Sequence, residues 1–204
     1  MKRFFFLFTL SFAMASLSVA QSVEISPMIG YNFADKFNVD GGTARISDGM
    51  SYGGSITIIP QGLNSIELTY RRMDGTMTAN SVYLSKYFEE SVSTNYVFIS
   101  GNRLAPLSKS VMFTGGLNLG VGFITSKNDV FSTVTKFAMG LNAGIKYFIN
   151  DKVGIRVQAN LDFPVTSVGA TFGWSSSGGT YAGAGGYVPF WQFGFSGGLV
   201  YKLR

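Results

Sequence analysis

The chain has 204 residues, no cysteine and no histidine, 16 basic against 11 acidic residues, 13% charged residues and 26 glycines. The missing side chains exclude a disulfide framework, a lipid-modified cysteine, His-ligated zinc and the Ser-His-Asp and Cys-His hydrolases. Soluble domains average about 25% charged residues and about 7% Gly, so this composition is unusual for a water-soluble fold.

Lys2 and Arg3 begin the chain, Phe4 to Leu17 is mostly apolar, and Ser18-Val19-Ala20 precedes Gln21. That order reads as a secretory signal over residues 1–20. A spanning helix is the competing reading, but Thr9, Ser11, Ser16 and Ser18 dilute the run below the ~20 apolar residues a span needs. Residues 21–204 then form a single domain. Without Lys2 and Arg3 the 16 basic residues become 14, and 14 minus 11 gives a net charge of +3, too mild and too scattered for a nucleic-acid footprint.

Strand patterns follow in order. Val23, Ile25, Ile29, Tyr31 and Phe33 share one face, with Pro27 in phase, and proline predicts a bulge or local break. Tyr52–Ile59 and Ser65–Arg72 pair around Pro60-Gln61-Gly62-Leu63, and Ser93–Ser100 is a fourth strand. There the pattern leaves open whether Tyr96/Phe98 or Val97/Ile99 faces outward. The period-2 signal is clearest in Val111–Phe123, where Phe113, Leu117, Leu119 and Val121 alternate with Met112, Thr114, Gly116, Asn118 and Gly120. Residues 136–149 and 153–163 repeat it, and Trp191, Phe193, Phe195, Leu199, Tyr201 and Leu203 alternate with Gln192, Gly194, Ser196, Gly198 and Lys202 in the last run. The total is eight strands.

Loops over 34–50, 73–92, 124–134 and 164–189 alternate with turns over 60–64, 101–109 and 150–152. Long and short connections on opposite ends are the build of a transmembrane β-barrel. After residue 20 no run is long enough for an apolar helix, and in lipid every backbone polar group must be paired within the protein, which leaves a closed barrel. Eleven residues tilted by about 45° climb about 26 Å, close to the ~25 Å apolar band of such barrels. The fold class is therefore all-β: an eight-stranded antiparallel up-and-down transmembrane barrel after a signal peptide. Phe33, Tyr52, Tyr70, Phe123, Phe137, Phe163 and Trp191 fall near the loop ends of their strands on the apolar face, and Phe113, Tyr147 and Tyr201 near the turn ends. That placement predicts aromatic girdles at both membrane interfaces.

Glu24, Glu67, Arg71, Lys136, Lys146, Arg156, Asp162 and Lys202 fall on the opposite, polar face, which a barrel would turn toward its lumen. Eight strands leave just enough room for side chains to fill it, so these charges are expected to pair. Two pairings are predicted: Glu24 with Lys202 across the closure, and Glu67 with the cations Lys146 and Arg156, which a three-residue turn at Asn150-Asp151-Lys152 sets opposite one another. The Gly-rich stretch 177–186 lacks a basic residue and a following helix, so it reads as a flexible loop rather than a phosphate cradle. Phe172, Trp174, Tyr181 and Tyr187 make this last loop the expected contact region.

Ser196-Gly197-Gly198-Leu199-Val200-Tyr201-Lys202-Leu203 resembles the last-strand signal of outer-membrane barrels, carried by Ser196, Gly198, Tyr201 and Leu203. Leu203 replaces the usual aromatic, and Arg204 follows it. Together with the strand GGLNLGVGF (residues 115–123) and the hairpin GIKYFINDKVGIRVQANLDF (residues 144–163), residues 21–204 are similar to the small OmpA/OmpX-like outer-membrane barrels. The resemblance implies an outer-membrane location, lipid, lipopolysaccharide and the barrel-assembly machinery as partners, and a monomer. The missing motifs and the scattered charge lead to no expected cofactor, metal or nucleic acid. Barrel enzymes of the phospholipase, deacylase and omptin types resemble one another in depending on histidine, which is absent here. The expected role is structural or surface interaction through the loops; a narrow channel for small solutes and a soluble lipocalin-like binding barrel are the alternatives.

Overall fold

The computed structural model describes residues 22–39, 42–60, 62–81, 88–130, 132–164, 171–174, 180–183 and 191–203. The signal segment, Tyr187 and Arg204 lie outside them, as do the side chains of Phe172, Trp174 and Tyr181.

Eight strands form one closed antiparallel sheet: β1 (Ser22–Asn32), β4 (Gly49–Ile59), β5 (Asn64–Ser81), β6 (Phe88–Pro106), β7 (Val111–Ser126), β8 (Val134–Phe148), β9 (Val153–Pro164) and β12 (Gln192–Lys202). β2 (Asp35–Val39) and β3 (Gly42–Ile46) make a hairpin that pairs onto the upper part of β5. β10 (Thr171–Trp174) and β11 (Thr180–Gly183) form a separate two-stranded ribbon. β1 closes on β12, with Glu24 opposite Lys202 and Asn32 opposite Gly194.

The registers fix the barrel's dimensions. Stepping from Glu24 to each successive partner gives Thr57, Glu67, Ser100, Asn118, Gly140, Asp162 and Gln192. The next step, continuing the β1–β12 register, lands at position 34, ten residues beyond the start. A shear of ten over eight strands sets a tilt of about 41° and a radius of about 8 Å. At that tilt the ten-residue climb from Tyr147 to Phe137 along β8 spans about 25 Å, the height of an outer-membrane apolar band.

Burial alternates with the pleat in the sense expected of a membrane barrel. Ile29, Ile56, Leu68, Ile99, Leu117, Leu141, Val157 and Leu199 are exposed on the outside, while Ser, Thr, Asn, Gln and charged residues fill the inside. In water this arrangement would be inverted. In hydrocarbon it is the stable one, because the outer surface meets lipid tails and the polar groups satisfy one another within.

The undecided strand is settled by its neighbour. Tyr96 and Phe98 point inward, and their cross-strand partners are Gly122 and Gly120. Val97 and Ile99, paired with Val121 and Leu119, face out. A narrow lumen accommodates two stacked rings, with centroids 5.4 Å apart, only where the adjoining strand presents no side chain.

Several boundaries differ from the sequence pattern. β5 and β6 extend through much of 73–92, and β6 continues through 101–106, shortening that turn to 107–110. Part of 34–50 is the β2–β3 hairpin. Beyond the lipid band the outer face of β5 turns polar (Arg72, Asp74, Thr76) while Met73 and Met77 face inward, so the apolar-outward alternation that marks the membrane strands ends. Pro27 causes no bulge: its ladder to β4 is continuous, with Pro27 opposite Gly54, and the β12 register is the same on both sides of it. Only the pairing of Ser26 and Pro27 with β12 is skipped.

The turns carry their own chemistry. Gly62 adopts φ 103°, a left-handed conformation natural to glycine. Asn150 Oδ1 accepts the backbone N–H groups of Lys152 (2.9 Å) and Val153 (2.8 Å), an Asx turn. Asn150→Ala removes both bonds at an exposed site and should cost about 1 kcal/mol, measurable as a lowered urea midpoint with an unchanged barrel.

Candidate functional site: the lumen and the outer rim

Three ion pairs occupy the lumen among the described residues. Near the turn end Lys146 Nζ lies 2.5 Å from Glu24 Oε2, and Arg156 Nη2 lies 2.9 Å from Glu67 Oε1. Higher up, Arg71 Nη2 lies 2.6 Å from Asp162 Oδ2. Both partners of every pair are buried. Glu67 also accepts hydrogen bonds from Thr57 (3.2 Å) and Thr69 (3.1 Å). Arg156 donates to Ser55 Oγ at 3.2 Å and to Gln158. Such saturation is what an ion pair requires away from bulk water.

Between the lower and upper pairs runs an amide ladder. Asn142 Nδ2 donates to Asn102 Oδ1 (2.9 Å) and Asn118 Oδ1 (2.7 Å), Gln158 to Asn160 (2.5 Å), and Asn160 to Ser196 (3.0 Å). Toward the loop end an apolar cluster joins the polar lining. The Arg71 guanidinium sits 5.6 Å from the centroid of the Phe98 ring, a cation–π contact. Above it, buried Met73 and Ile46 pack with Met77 and Ile124, and Val92 is fully buried. Ile46 comes from the β2–β3 hairpin, so a loop element completes this cap.

The structure brings together six of the eight charges assigned to the lumen. As anticipated, Lys146 and Arg156 are cross-strand partners, and Glu67 is the counter-charge beside Arg156. The Glu24–Lys202 pairing is replaced. Their backbones are partners, yet Glu24 binds Lys146, while Lys202 Nζ lies 3.8 Å from the centroid of the Phe148 ring at the turn-end mouth. Lys136 has the inward parity but is exposed, because it stands at the loop end above buried Ala138. The asparagine ladder and the apolar cap were missed. Their signal is present in the polar-face positions Asn102, Asn118, Asn142 and Asn160, but neutral amides carry no charge to draw notice.

All seven residues assigned to the loop-end girdle face outward: Phe33, Tyr52, Tyr70, Phe137 and Trp191 are exposed, Phe123 and Phe163 half-buried. Phe163 and Trp191 pack at a 5.4 Å centroid distance. At the C-terminus Tyr201 and Leu203 face outward and Ser196 faces the lumen; Gly198 approaches Pro27 so closely that a Cβ would fall 2.0 Å from its carbonyl oxygen.

Just beyond the tyrosines lies an outward-facing polar cluster. Tyr31 donates to Asp48, and Tyr52 to Asp74 (3.1 Å). Asp74 also accepts from Ser93 (2.6 Å) and pairs with Arg72 (3.0 Å) and Lys127 (3.2 Å). The hydrogen bond from Tyr31, assisted by the charge of nearby Arg45, holds the exposed Asp48 carboxyl below the usual carboxylate range. Lys36 and Arg45 are cross-strand partners of β2 and β3. Arg45 points away from the lumen, because its neighbour Ile46 points in.

No family profile and no curated protein matches the chain. Solved structures do. The outer membrane protein OprG from Pseudomonas aeruginosa superimposes with a TM-score of 0.61 at 12% identity, covering 91% of this chain and 97% of that one. Neisserial surface protein A does so with a TM-score of 0.59 at 12% identity, covering 89% and 97%. With its outward apolar band and closed polar interior, the chain has the fold of the small eight-stranded outer-membrane β-barrels, the OmpA/OmpX-like architecture.

Proposed function

We propose that this protein is a non-enzymatic, non-conducting outer-membrane barrel that acts through its surface-exposed end. One observation carries the reading: the lumen is filled twice over, by ion pairs and amides through its length and by an apolar cap at its loop end. Among the described residues, Met73, Ile46 and Val92 form an apolar constriction near the loop end, and a constriction of this kind disfavours wetting. Below it, any permeating ion must separate buried pairs. What the chain offers to partners is the long-strand end, where β5, β6 and the β2–β3 hairpin rise past the aromatic row.

Purified protein in planar bilayers is expected to give no reproducible conductance steps, with its folded state verified by heat-modifiable gel mobility. Stepwise conductance abolished by replacing Arg71 or Arg156 would replace this reading with a channel.

A further inference from the structure

The connection between β9 and β12 differs in chemistry from the other long connections of the barrel. Residues 33–48 carry Asp35, Lys36, Asp40, Arg45 and Asp48, residues 82–87 carry Lys86, and residues 127–133 carry Lys127 and Asp129. From Phe163 to Tyr201, by contrast, the chain has no charged residue. Within 165–191 stand six aromatics, seven glycines and seven serines or threonines, and the only large aliphatics are three valines.

The backbone gives part of this segment an order. β9 ends and β12 begins at the long-loop end, so the ribbon of β10 and β11 between them belongs to the outer side of the membrane. Phe172 pairs with Ala182, Gly173 with Tyr181, and Trp174 with Thr180. Faces alternate along a strand, so Phe172 and Trp174 fall on one face, with only Ala182 and Thr180 as cross-strand partners. Tyr181 falls on the other face, opposite Gly173.

Composition decides what can approach. A charged partner would meet no counter-charge along this segment, and its lost hydration would go uncompensated. A hydrocarbon partner would call for Leu, Ile and Met, and 165–191 contains none of them. A sugar ring matches both halves of the composition: its C–H face stacks on an aromatic ring, and its hydroxyls bond to Ser, Thr and backbone groups. Aromatics set among Ser and Gly supply rigid contact area with adaptable hydrogen bonding around it.

We infer that the β10–β11 ribbon binds an uncharged polysaccharide beyond the membrane surface, with the Phe172 and Trp174 face as the contact surface. This rests on the protein acting through its surface-exposed end, and it names the partner class of that end.

The test titrates the full protein in phosphatidylcholine nanodiscs with cellohexaose, maltohexaose and mannohexaose, and with hexagalacturonate as an anionic counterpart, followed by saturation-transfer difference NMR. A neutral sugar should bind and hexagalacturonate should not. Each ring removed should weaken binding by up to about tenfold, so F172A/W174A should lose the signal. Y181A, on the opposite face, should keep it. Heat-modifiable mobility establishes that each variant is folded. No transfer to any neutral sugar, equal binding of hexagalacturonate, undiminished binding by F172A/W174A, or equal loss in Y181A would overturn the assignment. So would capture of sugar-free phosphatidylcholine vesicles by the wild type and not by F172A/W174A, which would mean recognition of a membrane. A barrel that binds no sugar yet stays closed in planar bilayers would lose this partner class and keep its surface role. A conducting barrel that binds the neutral sugar would overturn the closed-lumen reading alone.

Discussion

Glu67→Ala should destabilise the barrel by about 3–5 kcal/mol, the range seen when one partner of a buried ion pair is removed. Arg156 would remain almost wholly buried, with Lys146 as its cross-strand neighbour and no carboxylate at 2.9 Å. Equilibrium urea unfolding in phospholipid vesicles, followed by tryptophan fluorescence, measures the loss. The double variant Glu67→Leu/Arg156→Met should recover most of it, since apolar replacement of both partners is often neutral or better. A cost below about 1 kcal/mol for the single variant would mean that water reaches Arg156 freely, contradicting a filled lumen.

Gly120→Val should prevent folding altogether. A Cβ at Gly120 would stand 1.9 Å from the Val97 carbonyl oxygen and 2.9 Å from the Phe98 Cα, both backbone atoms that no rotamer change can move. Relief requires β6 and β7 to part beside the stacked Tyr96 and Phe98, at a cost above about 4 kcal/mol. Gly101→Ala is the matched control: it lies on the same strand pair, opposite Leu117, and a Cβ there meets nothing within 4 Å. Heat-modifiable mobility should vanish for the first and persist for the second. Survival of a folded Gly120→Val barrel would show that β6 and β7 are less tightly joined than described.

Much of the architecture is legible in the residues because a membrane barrel imposes a simple rule on each strand: apolar outward, polar inward. Val111–Phe123 and residues 136–163 obey it at nearly every position. The Glu67–Arg156 contact follows from the same rule plus the parity of a three-residue turn. The Glu24–Lys146 contact does not. Which groups share a level across the lumen depends on the shear, and the shear is the accumulated result of eight registers that no single strand reveals. Backbone partnership suggested Lys202 for Glu24, but Lys202 sits at the mouth, where solvent and the Phe148 ring accommodate it. The direction of Tyr96 and Phe98 was readable only through Gly120 and Gly122 on the next strand. The upper parts of β5 and β6 turn a polar face outward, so they lose the apolar-outward pattern, and Asp74, Glu89 and Glu90 read as loop.

The skipped pairing at Ser26 and Pro27 has a consequence for assembly. β1 and β12 are the two ends of the barrel's strand sequence, so their junction cannot form until every hairpin between them is in place. It is also the junction where a proline withholds a donor and two positions drop from the ladder. The last contact to be made is thus among the least reinforced, and a barrel that opens sideways should part there first, along the line where its beginning meets its end.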